Sequence, residues 1–279
     1  MQSILNYIIW DVSPFIYEGE HFAIGWYGTL ATLSSVFLLI TYILVYNYKK
    51  QPIQYAVILF LASTILTYFC GHFFQGLFYE WYYSPDNPWY FLGIDWDYRN
   101  YYFDHPWKFL DLAHGGFSSH GCVMGGICTA FLLRKTFDSS FTELFDIIML
   151  GSCSMLFVRI GNLINSEIYG LPTSLPWGFL FNGEQQPCHP TQFYEILIFL
   201  IAYLTGWWIL LNKKTSKRDG LVSGCILIIV FTLRLLVEFI KNPQGEFESE
   251  WILNMGQWLS IPYILLGGVL LYQALRNEK

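Results

Sequence analysis

Arg159 closes a long apolar run, Ile147 to Ile164, in the segment Val158-Arg159-Ile160-Gly161-Asn162-Leu163-Ile164-Asn165-Ser166-Glu167. A guanidinium does not give up its charge, and holding it in hydrocarbon costs about 3 kcal/mol or more at mid-depth. It persists there when it has an anion to hold. Arg234 lies inside a second apolar run, Gly220 to Ile240, with Glu238 one helical turn later. Two guanidiniums offer planar, paired donors that match the oxygens of a phosphodiester. The competing explanation is structural: Arg159 ion-paired with Glu167 or Glu195, and Arg234 with Glu238 at i,i+4.

Other polar residues gather near the same ends of the apolar runs. His114-Gly115-Gly116-Phe117-Ser118-Ser119-His120-Gly121 opens one of them, and His189-Pro190-Thr191-Gln192-Phe193-Tyr194-Glu195 opens another. His114 and His120, six residues apart, are offset by about 240° on a helix and so do not form an i,i+4 metal pair. Either could be a general base or a hydrogen-bonded packing residue. Asn162, Asn165 and Gln192 must be satisfied in a dry setting, by one another or by a lipid headgroup. Tyr27 stands at the start of the first apolar run, in Gly25-Trp26-Tyr27-Gly28.

The elements that must position these residues are membrane helices. The chain of 279 residues is 54% hydrophobic and 13% charged, with a mean hydropathy of +0.39. Such a composition lies beyond an ordinary globular domain and predicts an all-α polytopic membrane protein. Aromatic residues make up 20%, which fits interfacial belts of Trp and Tyr. Seven spans of about 20 residues are expected, over 25–46, 54–78, 112–133, 143–164, 191–212, 220–240 and 257–275, forming a single integral domain over 1–279. The third contains Gly121-x-x-x-Gly125, a spacing that lets helices approach closely.

Ten of the fifteen Lys and Arg follow odd-numbered spans, among them Lys49, Lys50, Arg134, Lys135, Lys213 and Lys214. By the positive-inside rule those ends are cytoplasmic, which places the N-terminus outside and the C-terminus inside. The polar residues above then share the outer half of the membrane. The loop 79–111, dense in Trp and Tyr, is expected on the outer interface. Met1 to Glu20 lacks a basic start and carries Asp11, Glu18 and Glu20, so no cleavable signal is expected. Five of the six cysteines fall in apolar segments and none forms a CxxC pair, which argues against a disulfide framework or a zinc site. No basic patch for nucleic acid is present.

Taken in order, these blocks resemble the prolipoprotein diacylglyceryl transferase family. The resemblance rests on Arg159 to Gly170, on Trp26-Tyr27-Gly28, on Gly115-Gly116 leading to His120-Gly121, on His189 to Glu195, on Arg234-Leu235-Leu236-Val237-Glu238-Phe239, and on Met255-Gly256-Gln257-Trp258-Leu259-Ser260. It spans the whole chain. It implies a multi-pass enzyme of the bacterial inner (cytoplasmic) membrane that takes the diacylglyceryl group from phosphatidylglycerol. The group passes to the lipobox cysteine thiol of a preprolipoprotein signal peptide, and glycerol phosphate is released. By the same resemblance Arg159 and Arg234 hold the phosphate and His120 helps deprotonate the thiol, as catalytic residues. Tyr27, Asn162, Asn165, Glu167, Gly170, His189, Gln192 and Glu238 are then candidates for binding substrate, and no metal or organic cofactor is expected.

The chain departs from the family pattern at Val158 and Ser166, where glycine is usual, and at Cys122, which replaces a second glycine after the histidine. An arginine block expected near Gly71-His72-Phe73-Phe74 is not evident. Two alternatives follow: a related lipid transferase with a different acceptor, or a non-catalytic lipid-binding membrane protein.

Overall fold

Long apolar stretches with few breakers become helices wherever backbone polar groups must be satisfied without water. The computed structural model describes residues 7–84, 89–91, 94–96, 98–111, 116–242 and 252–276. The helices are α1 (Trp26–Tyr48), α2 (Gln54–Phe78), α3 (Tyr101–Asp104), α4 (Ser119–Leu133), α5 (Phe141–Ser152), α6 (Met155–Ile164), α7 (Thr191–Leu211), α8 (Leu221–Glu238) and α9 (Met255–Arg276). Among the described residues, six segments are long and apolar enough to cross a bilayer: α1, α2, the pair α5–α6 taken together, α7, α8 and α9. The chain is therefore a mostly helical, polytopic membrane protein.

Two expectations need correction. The helix expected over 112–133 starts only at Ser119, because Gly116, Phe117 and Ser118 are not helical; Gly116 is a poor helix former. The expectation over 112–115, His114 included, lies outside the described residues. The span expected over 143–164 is present as one apolar stretch, Phe141–Ile164, but its helix is interrupted at Cys153 and Ser154. The Ser154 hydroxyl meets that of Ser34 on α1, at 3.2 Å, and Ser34 also donates to the Ser154 carbonyl at 2.9 Å. Side-chain hydroxyls that bond to the backbone in this way compete with the helix ladder.

Helix α4 runs antiparallel to α2 at very short range. A Cβ on Gly125 would lie 2.5 Å from the Thr67 Cα, and one on Gly121 would overlap the Cys70 carbonyl. The Gly121-x-x-x-Gly125 spacing thus does what small residues do between membrane helices.

The two ends of the bundle differ in chemistry. At one, Ser140 caps α5 by accepting from the Glu143 amide at 3.0 Å, and Glu143 pairs with Lys49 at 2.7 Å. Nearby, Asp146 accepts from the Gly220 and Ser223 amides, each at 2.8 Å, and so caps α8. At the other end converge the C-termini of α6 and α8 and the N-termini of α4, α7 and α9.

Short strands cover that second end. β1 (Ile8–Trp10) runs parallel to β8 (Phe179–Phe181), and β2 (Phe15–Glu18) forms a hairpin with β3 (Ala23–Gly25) that leads into α1. In the 79–111 segment, β4 (Trp81–Tyr83) pairs with β7 (Tyr98–Asn100), and β5 (Trp89–Phe91) with β6 (Ile94–Trp96). Two described residues of this segment dock on α2. Asn100 donates to the Gly76 carbonyl at 2.8 Å, and His72 bonds the Lys108 carbonyl at 2.9 Å.

Candidate active site

Three cations and two carboxylates from four segments meet in the buried end of the bundle. Arg159 comes from α6, Glu195 from near the start of α7, Arg234 and Glu238 from the last turns of α8, and Lys241 from just beyond it. Each is at most 7% exposed. Glu195 is the hub. Arg159 Nε lies 2.8 Å from its Oε2, while Lys241 Nζ at 2.8 Å and Arg234 Nη1 at 3.8 Å face its Oε1. Glu238 Oε1 takes Lys241 Nζ at 3.0 Å and Arg234 Nη2 at 3.6 Å. Of the structural pairings expected from sequence, Arg159 with Glu195 (the alternative was Glu167) and Arg234 with Glu238 are present. They do not exhaust the arginines. Formally the five residues carry one positive charge in excess, and Arg234 Nε is buried without a hydrogen-bond partner among the described residues.

The turn after α6 is tied to this cluster. Arg159 Nη1 donates to Asn162 Oδ1 at 3.2 Å, Asn162 donates to Glu167 at 3.2 Å, and Asn165 donates to the other Glu167 oxygen at 3.1 Å. Glu167, exposed itself, is flanked by Ser166 at φ +54° and Ile168 at φ +59°. Left-handed backbone at a β-branched residue is rare and costly, and it persists only where neighbours enforce it. Gln192 does so by donating to the Glu167 carbonyl, and Thr191 by donating to that of Ile168 at 2.7 Å.

Two cavities meet at Arg234. One, of about 560 Å³, is largely apolar and lies between α1, α2, α4, α5 and α8, with Tyr27, Leu38, Thr67, Cys122 and Phe231 on its walls. The other, of about 520 Å³, is polar and includes Gln75, Tyr79, Ser118, Arg159, Tyr169 and Asn242. Gly116, Phe117, Ser119 and Arg234 belong to both walls. Tyr169, on the wall of the polar cavity, donates to Glu184, and that bond to a carboxylate with some burial pushes its phenol up to about 12.

Geometry of this kind suits an amphiphile with a phosphate at the junction of apolar and polar parts. A sequence profile of the prolipoprotein diacylglyceryl transferase family matches residues 14–273. The chain belongs to that family. It is 34% identical to a phosphatidylglycerol--prolipoprotein diacylglyceryl transferase of Chloroherpeton thalassium, over 98% of this chain and 97% of the relative. Proteins of the same name from Porphyromonas gingivalis and Bacteroides fragilis are 32% and 31% identical. These alignments cover 97% and 96% of this chain and 96% and 95% of those relatives.

As a member of the diacylglyceryl transferase family, the chain distributes its candidate residues unevenly. Arg159, Asn162, Asn165, Glu167, Arg234 and Glu238 form one connected network, and Gln192 supports it. Tyr27 lines the apolar cavity and packs on Gly161, where a Cβ would sit 3.0 Å from the ring. Gly170 is a crossing point rather than a cavity wall. A Cβ there would run into the Ile240 carbonyl and lie 3.0 Å from the His189 Cβ, and the Gly170 amide donates to the His189 carbonyl at 2.9 Å. The His189 ring contacts the Tyr194 hydroxyl at 3.3 Å, away from both cavities, and burial lowers its pKa from the ordinary value.

His120 is fully buried, with Nε2 3.2 Å from Ser260 Oγ and its ring against Phe231 at 5.4 Å. It sits one layer behind the walls, next to Ser119 and Phe231, which do face the apolar cavity. The sequence reading missed Lys241, which its i,i+3 spacing from Glu238 offers as a partner, and treated Glu195 only as one possible counter-ion. It also missed Asn254, which donates to Glu238 at 3.2 Å, and Tyr263, whose hydroxyl donates to the His120 carbonyl at 2.6 Å.

Proposed function

We infer that this chain transfers the diacylglyceryl group of phosphatidylglycerol to the lipobox cysteine thiol of a preprolipoprotein, releasing glycerol phosphate. The observation that carries this reading is the place of Arg234. It is on the wall of both an apolar and a polar cavity, inside a buried cluster with one positive charge in excess. A singly charged phosphodiester with two acyl tails has the matching shape and charge. Its tails occupy the apolar cavity, its phosphate meets Arg234 and Arg159, and its free glycerol faces the polar cavity. Proteins of this name among the relatives support the same substrate pair.

The chemistry follows from that pose. The cysteine sulfur attacks the glyceryl carbon that bears the phosphate, an S–C bond forms, and the C–O bond breaks with its electron pair passing to the phosphate oxygen. The leaving group departs as glycerol phosphate, and positive charge beside it lowers the barrier. A cysteine thiol has a pKa near 8.5, so modest help ionises it. His120 is the proposed acceptor of that proton. Because its ring is behind Ser119 and Phe231, the thiol must reach between those two wall residues. Asn162, Asn165, Glu167 and Gln192 hold the turn that orients Arg159, while Glu238 orients Arg234. In this reading Tyr27 faces the acyl chains from the wall of the apolar cavity, while Gly170 and His189 shape the backbone behind the headgroup.

The same proposal takes the chain as one integral domain of the bacterial inner membrane with seven crossings, α4 supplying the shortest. Its N-terminus is outside, its C-terminus is cytoplasmic, and the charge cluster is at the outer side. Arg159→Ala and His120→Ala test the residue roles. Each is expected to lose at least about a hundredfold in peptide lipidation, the range seen when a transition-state donor or a general base is removed, in protein that still purifies as a folded species; Arg159→Ala also lowers the unfolding temperature, because it leaves Glu195 short of a buried partner. Full activity in either variant would remove that residue from the chemistry.

A further inference from the structure

Helix α4 begins in an unusual place. Its antiparallel packing on α2 sets Ser118 opposite Gly71, with the Ser118 amide donating to the Gly71 carbonyl at 3.0 Å. Since α2 continues to Phe78, the start of α4 is recessed by roughly 10 Å, seven residues at the helical rise. Irregular backbone at that depth is tolerated where it lines a cavity, and Gly116, Ser118 and Ser119 line the polar one.

This N-terminus is uncapped. Ser118 has the extended backbone of an N-cap, at φ −91° and ψ 124°, yet its hydroxyl caps nothing. The first amide bonded back along the helix is that of Cys122, to the Ser118 carbonyl at 3.2 Å. The amides of Ser119, His120 and Gly121 therefore open away from the helix, as the first donors of any helix do. Independently, Ser118 Oγ is buried without a hydrogen-bond partner among the described residues, in a side chain only 4% exposed. Of these residues Ser118 and Ser119 are on one wall with Arg159 and Arg234, so a free hydroxyl and the first open amide, at the positive end of a helix, form a site for an oxyanion.

We propose that the recessed α4 N-terminus, through the Ser118 hydroxyl and the Ser119 amide, is a second grip on the phosphate that takes up the charge of the leaving group. The proposal rests on the transferase reading above. In that reaction the phosphorus group changes from a singly charged diester to a doubly charged monoester as the C–O electron pair moves onto oxygen. The two arginines already meet the first charge in the bound lipid. Donors that meet the second strengthen only as the bond breaks, so they raise turnover more than they tighten substrate binding.

Ser118→Ala is tested beside Arg234→Lys, following turnover, KM for phosphatidylglycerol and inhibition by added glycerol phosphate. The expected result for Ser118→Ala is kcat lower by at least about tenfold with KM within about threefold, and inhibition by glycerol phosphate weakened about tenfold. Ser118→Thr, which keeps the hydroxyl, should retain most turnover. If Ser118→Ala keeps full kcat and full inhibition while Arg234→Lys is impaired, the second grip is wrong and the arginine reading stands. If both variants turn over normally, the phosphate reading fails and takes this proposal with it. Should Ser118→Ala not fold, Ser118→Cys substitutes a weak donor of similar size: a folded protein with reduced kcat supports the grip, and one with normal kcat overturns it.

Discussion

Arg234 has neighbours on two sides that ask different things of it. Glu195 and Glu238 hold its terminal nitrogens at 3.8 and 3.6 Å, loose distances for ion pairs, and its side chain faces both cavities. A lysine would keep the charge but place it as a point, without the planar fork that engages two phosphate oxygens. Arg234→Lys is therefore expected to lose about one to two orders of magnitude in kcat/KM, the scale of one or two charge-assisted hydrogen bonds. Steady-state assay in mixed micelles measures it, and near-normal turnover would end the clamp role. At this scale the sequence was informative about charge and uninformative about partners. Arg159, Arg234 and Glu238 are conspicuous because charge in an apolar run is costly. Glu195 as hub was not legible, because its three cationic partners lie on other segments and meet it only through helix packing. Lys241 was hidden by its position just after the apolar run, where a lysine is ordinarily solvated.

The helices place these groups through close packing at glycine and through interrupted ends. The Gly121-x-x-x-Gly125 contact sets α4 against α2 and so fixes how deep the Ser118 end is recessed. Gly125→Ala puts a methyl group 2.5 Å from backbone on α2, which a rotamer change cannot relieve. Its expected cost is about 1–3 kcal/mol, typical of overpacking, read as a lower unfolding temperature in detergent, with activity reduced further by the displaced α4 start. Unchanged unfolding would show that the two helices are not in contact at this depth. Apolar length predicted α1, α2, α7, α8 and α9 well, since hydrophobic runs of that size have few alternatives. It did not predict the break at Cys153 and Ser154 or the late start of α4. Both depend on hydrogen bonds to other helices, from Ser34 in one case and to Gly71 in the other, which a one-dimensional pattern does not contain.

For the molecule as a whole, the two ends of the bundle differ in charge. The basic end carries Lys49, Arg134 and Lys214, and the opposite end carries the buried cluster of Arg159, Glu195, Arg234, Glu238 and Lys241 under a cover of short strands. The proposed orientation predicts that a membrane-impermeant maleimide labels Gln185→Cys and spares Lys214→Cys in right-side-out vesicles. The reverse pattern would invert the topology and put the site on the cytoplasmic face. The family itself was legible because its blocks recur in order along the entire chain, whereas the two cavities that explain those blocks exist only in three dimensions.

Purified protein mixed with phosphatidylglycerol and a lipobox peptide bearing a free cysteine puts the transfer itself to the test. Glycerol phosphate should appear in equal amount with thioether-linked diacylglyceryl peptide. A folded protein that forms neither product, or that releases glycerol phosphate while the peptide thiol stays free, would contradict the proposed transfer.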